Sequence, residues 1–138
     1  MQKNLKKRRK AKILFITEFF PHTSKIDIHG GVEMRTFLIA RELAKRHYVT
    51  VITSKVNNGS LQTYLNGIKV ISVGFKRKYV HSGDYLNRFI FIVVAFIKSL
   101  AVDFDIIEAA GIISFLSALI SGIIKRKPRV AFVPDILT

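Results

Sequence analysis

Two adjacent glycines, Gly30 and Gly31, stand between an irregular segment and an amphipathic helical pattern. A glycine has no Cβ, so it adopts unusual φ angles and lets a ligand approach the backbone closely. The first N–H groups of a helix have no partner within the helix, which makes the amides of Gly31, Val32 and Glu33 an anion site. The pattern predicts a phosphate-binding loop, and a glycine pair that only lets a helix pack closely on a sheet is the equal alternative.

The glycine pair does not match two common nucleotide-binding patterns. Neither G-x-G-x-x-G, which binds dinucleotides, nor the P-loop G-x-x-x-x-G-K-[ST] occurs in the sequence. The sequence therefore supports neither an ordinary NAD-dependent enzyme nor a P-loop NTPase.

The four histidines and the absence of cysteine limit the metal and redox chemistry. No two histidines share a ligand spacing on one helix or strand, and no carboxylate cluster accompanies them, so we expect no metal site. His22 and His29 precede the glycines, where contact with an acceptor or phosphate and simple solvation are both open. A chain without cysteine has no disulfide and no cysteine nucleophile, and it fits a reducing compartment such as the cytoplasm.

The elements around the glycines predict an α/β fold. A buried strand, a loop, a helix and a second strand form a crossover unit, and further strands alternate with helices. The alternation predicts a Rossmann-like, doubly wound, mainly parallel sheet ordered 3-2-1-4-5, with ligands bound where that order reverses, after the first strand. In chain order the predicted elements are a strand at 12–17, the helix after Gly31, a strand at 48–54, a hairpin at 61–73 around Asn66-Gly67, a helix from about 85 to 101, the strand "FDIIEAA", the helix "GIISFLSALISGII" and the strand "RVAFVPDI".

The two later helices are almost entirely apolar. Their stretches without a charged residue, Phe89 to Ile97 and Ile112 to Ile124, fall short of the roughly 20 residues that span a bilayer. Small residues recur along the second helix at Ser114, Ser117 and Ser121 beside Gly122. We expect this stripe to pack closely on the sheet, and a lipid-embedded helix contact is the alternative.

The formal net charge is +14, and seven basic residues lie within the first twelve positions. Such a charge favours a polyanionic partner, either an anionic membrane surface or nucleic acid, while a solvated tail that only aids solubility is the alternative. The sequence shows no zinc, RRM or KH pattern, and its aromatic residues lie mostly in apolar strands and helices. Nucleic-acid binding is therefore the weaker hypothesis.

The segments "ILFITEFFP", "HGGVEMRTFLIARELAKRHYVTVITS" and "KPRVAFVPDIL" together resemble the N-terminal domain of family 4 retaining glycosyltransferases of the GT-B fold. The resemblance extends from Lys12 to Leu137. It implies that Gly30 and Gly31 face the diphosphate of a nucleotide-sugar across a cleft between two domains. It also implies that this domain holds a sugar or lipid-linked acceptor, and that no metal or other cofactor is required.

The sequence departs from the family pattern at two places. Many members carry histidines where this chain has Glu108-Ala109-Ala110, and a histidine before the aspartate that is kept here as Asp135. Asp135 is the one catalytic candidate, with a turn or capping role as the alternative. Glu108 is expected to hold a sugar hydroxyl or to bond a neighbouring backbone amide.

Family members also possess a second, donor-binding domain, which 138 residues do not accommodate. We expect a basic tail at 1–11 and an acceptor-side domain at 12–138 that is incomplete at its C-terminus and inactive alone. The donor domain would lie in the same longer chain or in a partner subunit. The expected location is cytoplasmic, peripheral on the inner face of the membrane, and a non-catalytic module that recruits a partner is the alternative function.

Overall fold

The computed structural model describes residues 10–21, 31–56, 62–77 and 85–132. The order of strands and helices predicted from the sequence is confirmed. The described elements are β1 (Lys12–Thr17), α1 (Gly31–Leu43), β2 (Tyr48–Val56), β3 (Gln62–Leu65), β4 (Ile68–Arg77), α2 (Tyr85–Ala101), β5 (Ile106–Ala110), α3 (Ile112–Lys125) and β6 (Arg129–Phe132).

The strands form one six-stranded sheet in the order β3-β4-β2-β1-β5-β6. All neighbouring pairs are parallel except β3 with β4, which are antiparallel. The order reverses at β1, because β2 is added on one side of it and β5 on the other. The predicted doubly wound topology is therefore confirmed, and the hairpin adds β3 as an antiparallel edge strand.

The hairpin between β3 and β4 turns at Asn66 and Gly67, as predicted. Their φ angles are 50° and 82°, so both central residues of the turn are in the left-handed region. Two left-handed residues in succession define a type I′ turn, whose twist matches that of the flanking strands. A side chain at Gly67 would contact Ala44, so the turn lies against the end of α1.

The sheet has a separate hydrophobic core on each face. Successive β1 side chains point to opposite faces, so Leu14 and Phe15 belong to different cores although both are fully buried. Phe15 packs in the cluster that contains Phe37 of α1. Leu14 packs in the cluster that contains Phe91 of α2 and Ala118 of α3. One helix thus covers one face of the sheet, and two helices cover the other.

The small-residue stripe of α3 divides between two neighbours: Gly122 packs closely on the sheet as predicted, whereas Ser117 and Ser121 face α2 instead. Ser117 Oγ donates to the carbonyl oxygen of Ile92 in α2 at 2.7 Å, and Ser121 Oγ hydrogen-bonds Ser99 Oγ of the same helix. Gly122 is the member that faces the sheet, since a Cβ there would collide with the side chain of an arginine in β6. Ser117 and Ser121 thus direct small hydroxyl groups at α2, which lets α2 and α3 lie close together.

Neither apolar helix is a membrane span. Among the described residues, none of the helices combines the length and hydropathy that crossing a bilayer requires.

Lys12 ties the start of β1 to the loop between α2 and β5. Its N–H donates to Asp105 Oδ2 at 2.8 Å, and its Nζ forms an ion pair with Asp103. The hydrogen bond from Lys12, assisted by its charge, holds the pKa of Asp103 below the usual value.

We predict that Lys12→Met raises the pKa of Asp103 back towards its ordinary value. The folded-state pKa is the lower one, so the pair stabilises the fold above the unfolded pKa, and this contribution is lost as the pH falls through the folded pKa. Asp103 is fully exposed, so we expect a clear change in its titration and little change in stability.

NMR of the Asp103 carboxyl carbon between neutral and acidic pH measures this change. Lys45→Met, in the exposed turn that follows α1, serves as the control and should leave the titration of Asp103 unaltered. An identical Asp103 titration with and without the Lys12 side chain would contradict the assignment.

Candidate functional site

The switch-point edge is the part of the sheet where the carboxyl ends of β1 and β5 meet the first turns of α1 and α3. Thr17 and Ala110, the last residues of the two strands, are in register with each other. A Cβ built on Gly111, which follows β5, would lie 3.9 Å from Val32 Cγ1 in the first turn of α1. Two helix N-termini therefore lie next to each other where the strand order reverses, which is where doubly wound sheets bind ligands.

Gly31 is the first residue of α1, and neither conformation nor packing requires a glycine there. It is not among the glycines with positive φ, and a Cβ built on it would meet no atom of the described residues within 4 Å. Among the described residues, nothing packs closely at Gly31, so the close-packing alternative finds no support there. No described residue fills the space where a side chain at Gly31 would begin, and Gly30 lies outside the described residues.

The next two residues contribute to this edge in different ways. Val32 is half-buried and lies beside Gly111, whereas the side chain of Glu33 is buried. A carboxylate in the first turn is favoured by the helix dipole but repels a neighbouring anion. Glu33 is therefore suited to an anion site through its backbone N–H only.

Gly111 is a part of the edge that the sequence analysis did not identify. It caps α3 with φ 90° and ψ 163°, a combination that is essentially restricted to glycine, and no side chain hydrogen-bonds the cap. Its own N–H donates to the carbonyl oxygen of Phe132 at 2.9 Å. The sequence signal was present, since a glycine stands between strand and helix here just as Gly31 does at α1.

Glu18 and Arg88 form a second feature that the sequence analysis missed. Arg88 Nε lies 3.0 Å from Glu18 Oε1, and their side chains are only 13% and 15% exposed. The carbonyl oxygen of Glu18 also accepts hydrogen bonds from Ser54 N and Thr53 Oγ1, both at 3.1 Å. The residue that follows β1 is thus held by β2 through its backbone and by α2 through its side chain.

Glu108 pairs with an arginine of α1 and does not bond a backbone amide. Arg35 Nη1 lies 2.8 Å from Glu108 Oε1, and the guanidinium of Arg35 lies 3.8 Å from the centre of the Phe132 ring. The Glu108 side chain is 12% exposed, two residues before the end of β5. The described residues place no hydrogen bond on its other oxygen, so a hydroxyl contact there stays a prediction.

The remaining predicted site residues cannot be positioned. His22, His29 and Asp135 lie outside the described residues. Within the described part of the chain, no group of three or more histidine, aspartate or glutamate side chains is arranged to hold a metal ion.

A doubly wound sheet with two helix N-termini at its switch point defines the Rossmann-like class of ligand-binding lobes. A family model described as Glycosyltransferase Family 4 matches residues 29–134. The chain therefore belongs to this family, and its sheet is the N-terminal lobe of the GT-B glycosyltransferase fold, as the sequence predicted. A search of the curated proteins found no significant match.

The two site glycines should respond oppositely to substitution. Gly31→Ala should leave the free energy of unfolding unchanged or raise it by up to about 1 kcal/mol, because the new Cβ meets open space and helical backbone entropy is saved. Gly111→Ala should lower it by about 1–3 kcal/mol, because its backbone conformation is strained for any other residue. Urea unfolding measures both, and an equal loss in the two variants would be inconsistent with an open N-terminus at Gly31.

The ion pair at the edge should be structurally important. Arg88→Met should lower the free energy of unfolding by about 1–3 kcal/mol, because it leaves the Glu18 carboxylate mostly buried without that partner. Lys45→Met, which breaks the exposed pair of Lys45 with Glu42 on α1, is the matched control and should have little effect. A loss for Arg88→Met no larger than for the control would show that solvent already screens the pair.

Proposed function

We propose that this lobe takes part in transferring a sugar from a nucleotide-sugar to a lipid-linked or saccharide acceptor, when it is joined to a donor-binding domain. Family membership supplies the reaction class. The observation that carries the proposal is that α1 begins at the switch-point edge with Gly31, where a Cβ would meet no described atom within 4 Å. The first N–H groups of a helix suit the diphosphate of the donor sugar.

The chemistry of transfer explains why this position matters. When the bond between the sugar and the nucleoside diphosphate breaks, negative charge builds up on the departing phosphate oxygen. Backbone N–H groups fixed at a helix N-terminus stabilise that charge without having to reorganise. Gly31 and Val32 would supply such donors, and the buried side chain of Glu33 keeps its carboxylate out of the open space.

The strength of this interaction indicates that the lobe does not work alone. A helix N-terminus contributes about 0.3–2 kcal/mol to holding an anion. Even millimolar affinity needs about 4 kcal/mol. The nucleoside of the donor must therefore be bound elsewhere, and we propose a separate donor domain for that role and no transfer by this lobe by itself.

The acceptor is proposed to lie on the α1 side of the edge. Glu108 has one carboxylate oxygen paired with Arg35, and we propose that the other accepts a hydrogen bond from an acceptor hydroxyl. His22 and His29 are proposed to contact the acceptor, and Asp135 to act in catalysis. For these three residues the proposal rests on their place in the sequence.

Binding of UDP and GDP to the ¹⁵N-labelled chain tests the phosphate site. We expect weak binding that shifts the amide signals of Gly31, Val32 and Gly111, while uridine and guanosine, which lack phosphates, leave them in place. Gly31→Leu should abolish the shifts, because its side chain fills the space that no described residue occupies at Gly31, and the fold should persist.

Binding of the diphosphates at a different cationic site would contradict the proposed phosphate site. A groove at the opposite, amino-terminal edge of the strands is lined by Lys12, Lys69 and Lys98. If the diphosphates shift only the signals of that groove, or if Gly31→Leu binds them as well as the parent chain does, the proposed phosphate site at α1 is wrong.

A further inference from the structure

The outward side of α2 is apolar. Leu86, Phe89, Val93 and Ile97 follow one another at intervals of three or four residues, and each is between 39% and 72% exposed. Arg88 turns away from this side to reach Glu18. An ordinary surface helix has the reverse arrangement, with polar residues outside and apolar residues inside.

The outward side of α3 continues the same surface. Leu116, Ile120, Ile123 and Ile124 are between 37% and 56% exposed. The two helices lie side by side on one face of the sheet, joined through the serine contacts. We call the combined surface the apolar face, defined by Leu86, Phe89, Val93, Ile97, Leu116, Ile120, Ile123 and Ile124.

The apolar face consists of eight large side chains, each more than a third exposed, and it carries no charge. A cluster of exposed apolar side chains on adjoining helices, in contrast to single scattered ones, is typical of an interaction site. Neither α2 nor α3 contains an aspartate or a glutamate. A surface of this kind needs a partner that removes it from water.

The charged residues at the carboxyl ends of the two helices are mainly cations, and the exposed aspartates between α2 and β5 both accept hydrogen bonds from Lys12. Lys98 is exposed on the flank of α2, and Arg126 and Lys127 follow α3. The whole chain adds to the positive potential with its net charge of +14. An apolar surface bordered by cations matches a bilayer in which anionic headgroups lie directly above the acyl chains.

We propose that the apolar face docks on the surface of an anionic bilayer. The two helices would lie in the plane of the membrane, with their outward side chains at the boundary between headgroups and acyl chains. A symmetric dimer through the same face would bring two cationic borders together, which is unfavourable. This inference does not depend on the proposed sugar transfer.

The chain contains no tryptophan, so a single introduced tryptophan reports its own surroundings. Phe89→Trp and Ile120→Trp place the reporter on the apolar face. Leu38→Trp is the matched control, because Leu38 is 42% exposed on α1, which covers the opposite face of the sheet.

Vesicles of equal parts phosphatidylcholine and phosphatidylglycerol should shift the emission of the first two variants to shorter wavelength. Brominated acyl chains should quench both of them and spare the Leu38→Trp variant. Equal quenching of all three reporters, or no response from either reporter on the apolar face, overturns the proposal.

Replacing apolar residues of the face with glutamate is a second test of bilayer docking. Phe89→Glu combined with Ile120→Glu should weaken sedimentation with the anionic vesicles about tenfold or more, because two charges replace buried apolar groups. The matched pair Met34→Glu and Leu38→Glu on α1 should leave binding unchanged. All four positions are exposed, and circular dichroism should show the same fold in each variant.

Two further results would overturn the proposal. Binding to pure phosphatidylcholine as strong as to the mixed vesicles would remove the role of the cationic border. If the emission of the Phe89→Trp variant shifts with protein concentration in the absence of lipid, and vesicles add nothing, a second copy of the chain covers the face instead.

Discussion

The lobe depends on the complete burial of β1 between two parallel neighbours. Leu14, Phe15 and Ile16 are fully buried, because both faces of the strand are covered by helices. Right-handed crossovers on either side of β1 then force α1 to one face of the sheet and α2 and α3 to the other. The same reversal brings the first turns of α1 and α3 together, so burial of one strand places the candidate site.

The helices that cover the two faces of the sheet differ in what they present to water. On one face, α1 alone covers the sheet, and its outward side mixes charged residues such as Arg41 and Glu42 with the partly exposed Met34 and Leu38. On the other face, α2 and α3 are apolar on both their inner and outer sides, and they use buried serines to pack against each other. Folding explains the inner sides only. The outward apolar residues keep between 37% and 72% of their surface exposed in the folded lobe, which is why they point to a partner.

The sequence predicted what local patterns determine and missed what the tertiary arrangement determines. The bounds of β1 were predicted because its apolar run is typical of a strand buried on both faces, and the hairpin because Asn66-Gly67 suits a type I′ turn. The pair of Glu18 with Arg88 joins residues 70 positions apart, and no local pattern marks such a contact. Ser117 and Ser121 were misplaced for the same reason, since periodicity shows that a stripe exists but not which neighbour each member faces.

Glu18 connects the candidate site to the rest of the lobe. Its carbonyl oxygen is held by the end of β2, and its carboxylate is held by Arg88 in the first turn of α2. The helix that carries half of the apolar face is thus fixed to the switch-point edge by an ion pair that is mostly shielded from water. If α2 lies on a bilayer, this contact fixes the edge close to the membrane surface. A lipid-linked acceptor would then reach the first turn of α1 without leaving the bilayer completely, which connects two proposals that rest on separate observations.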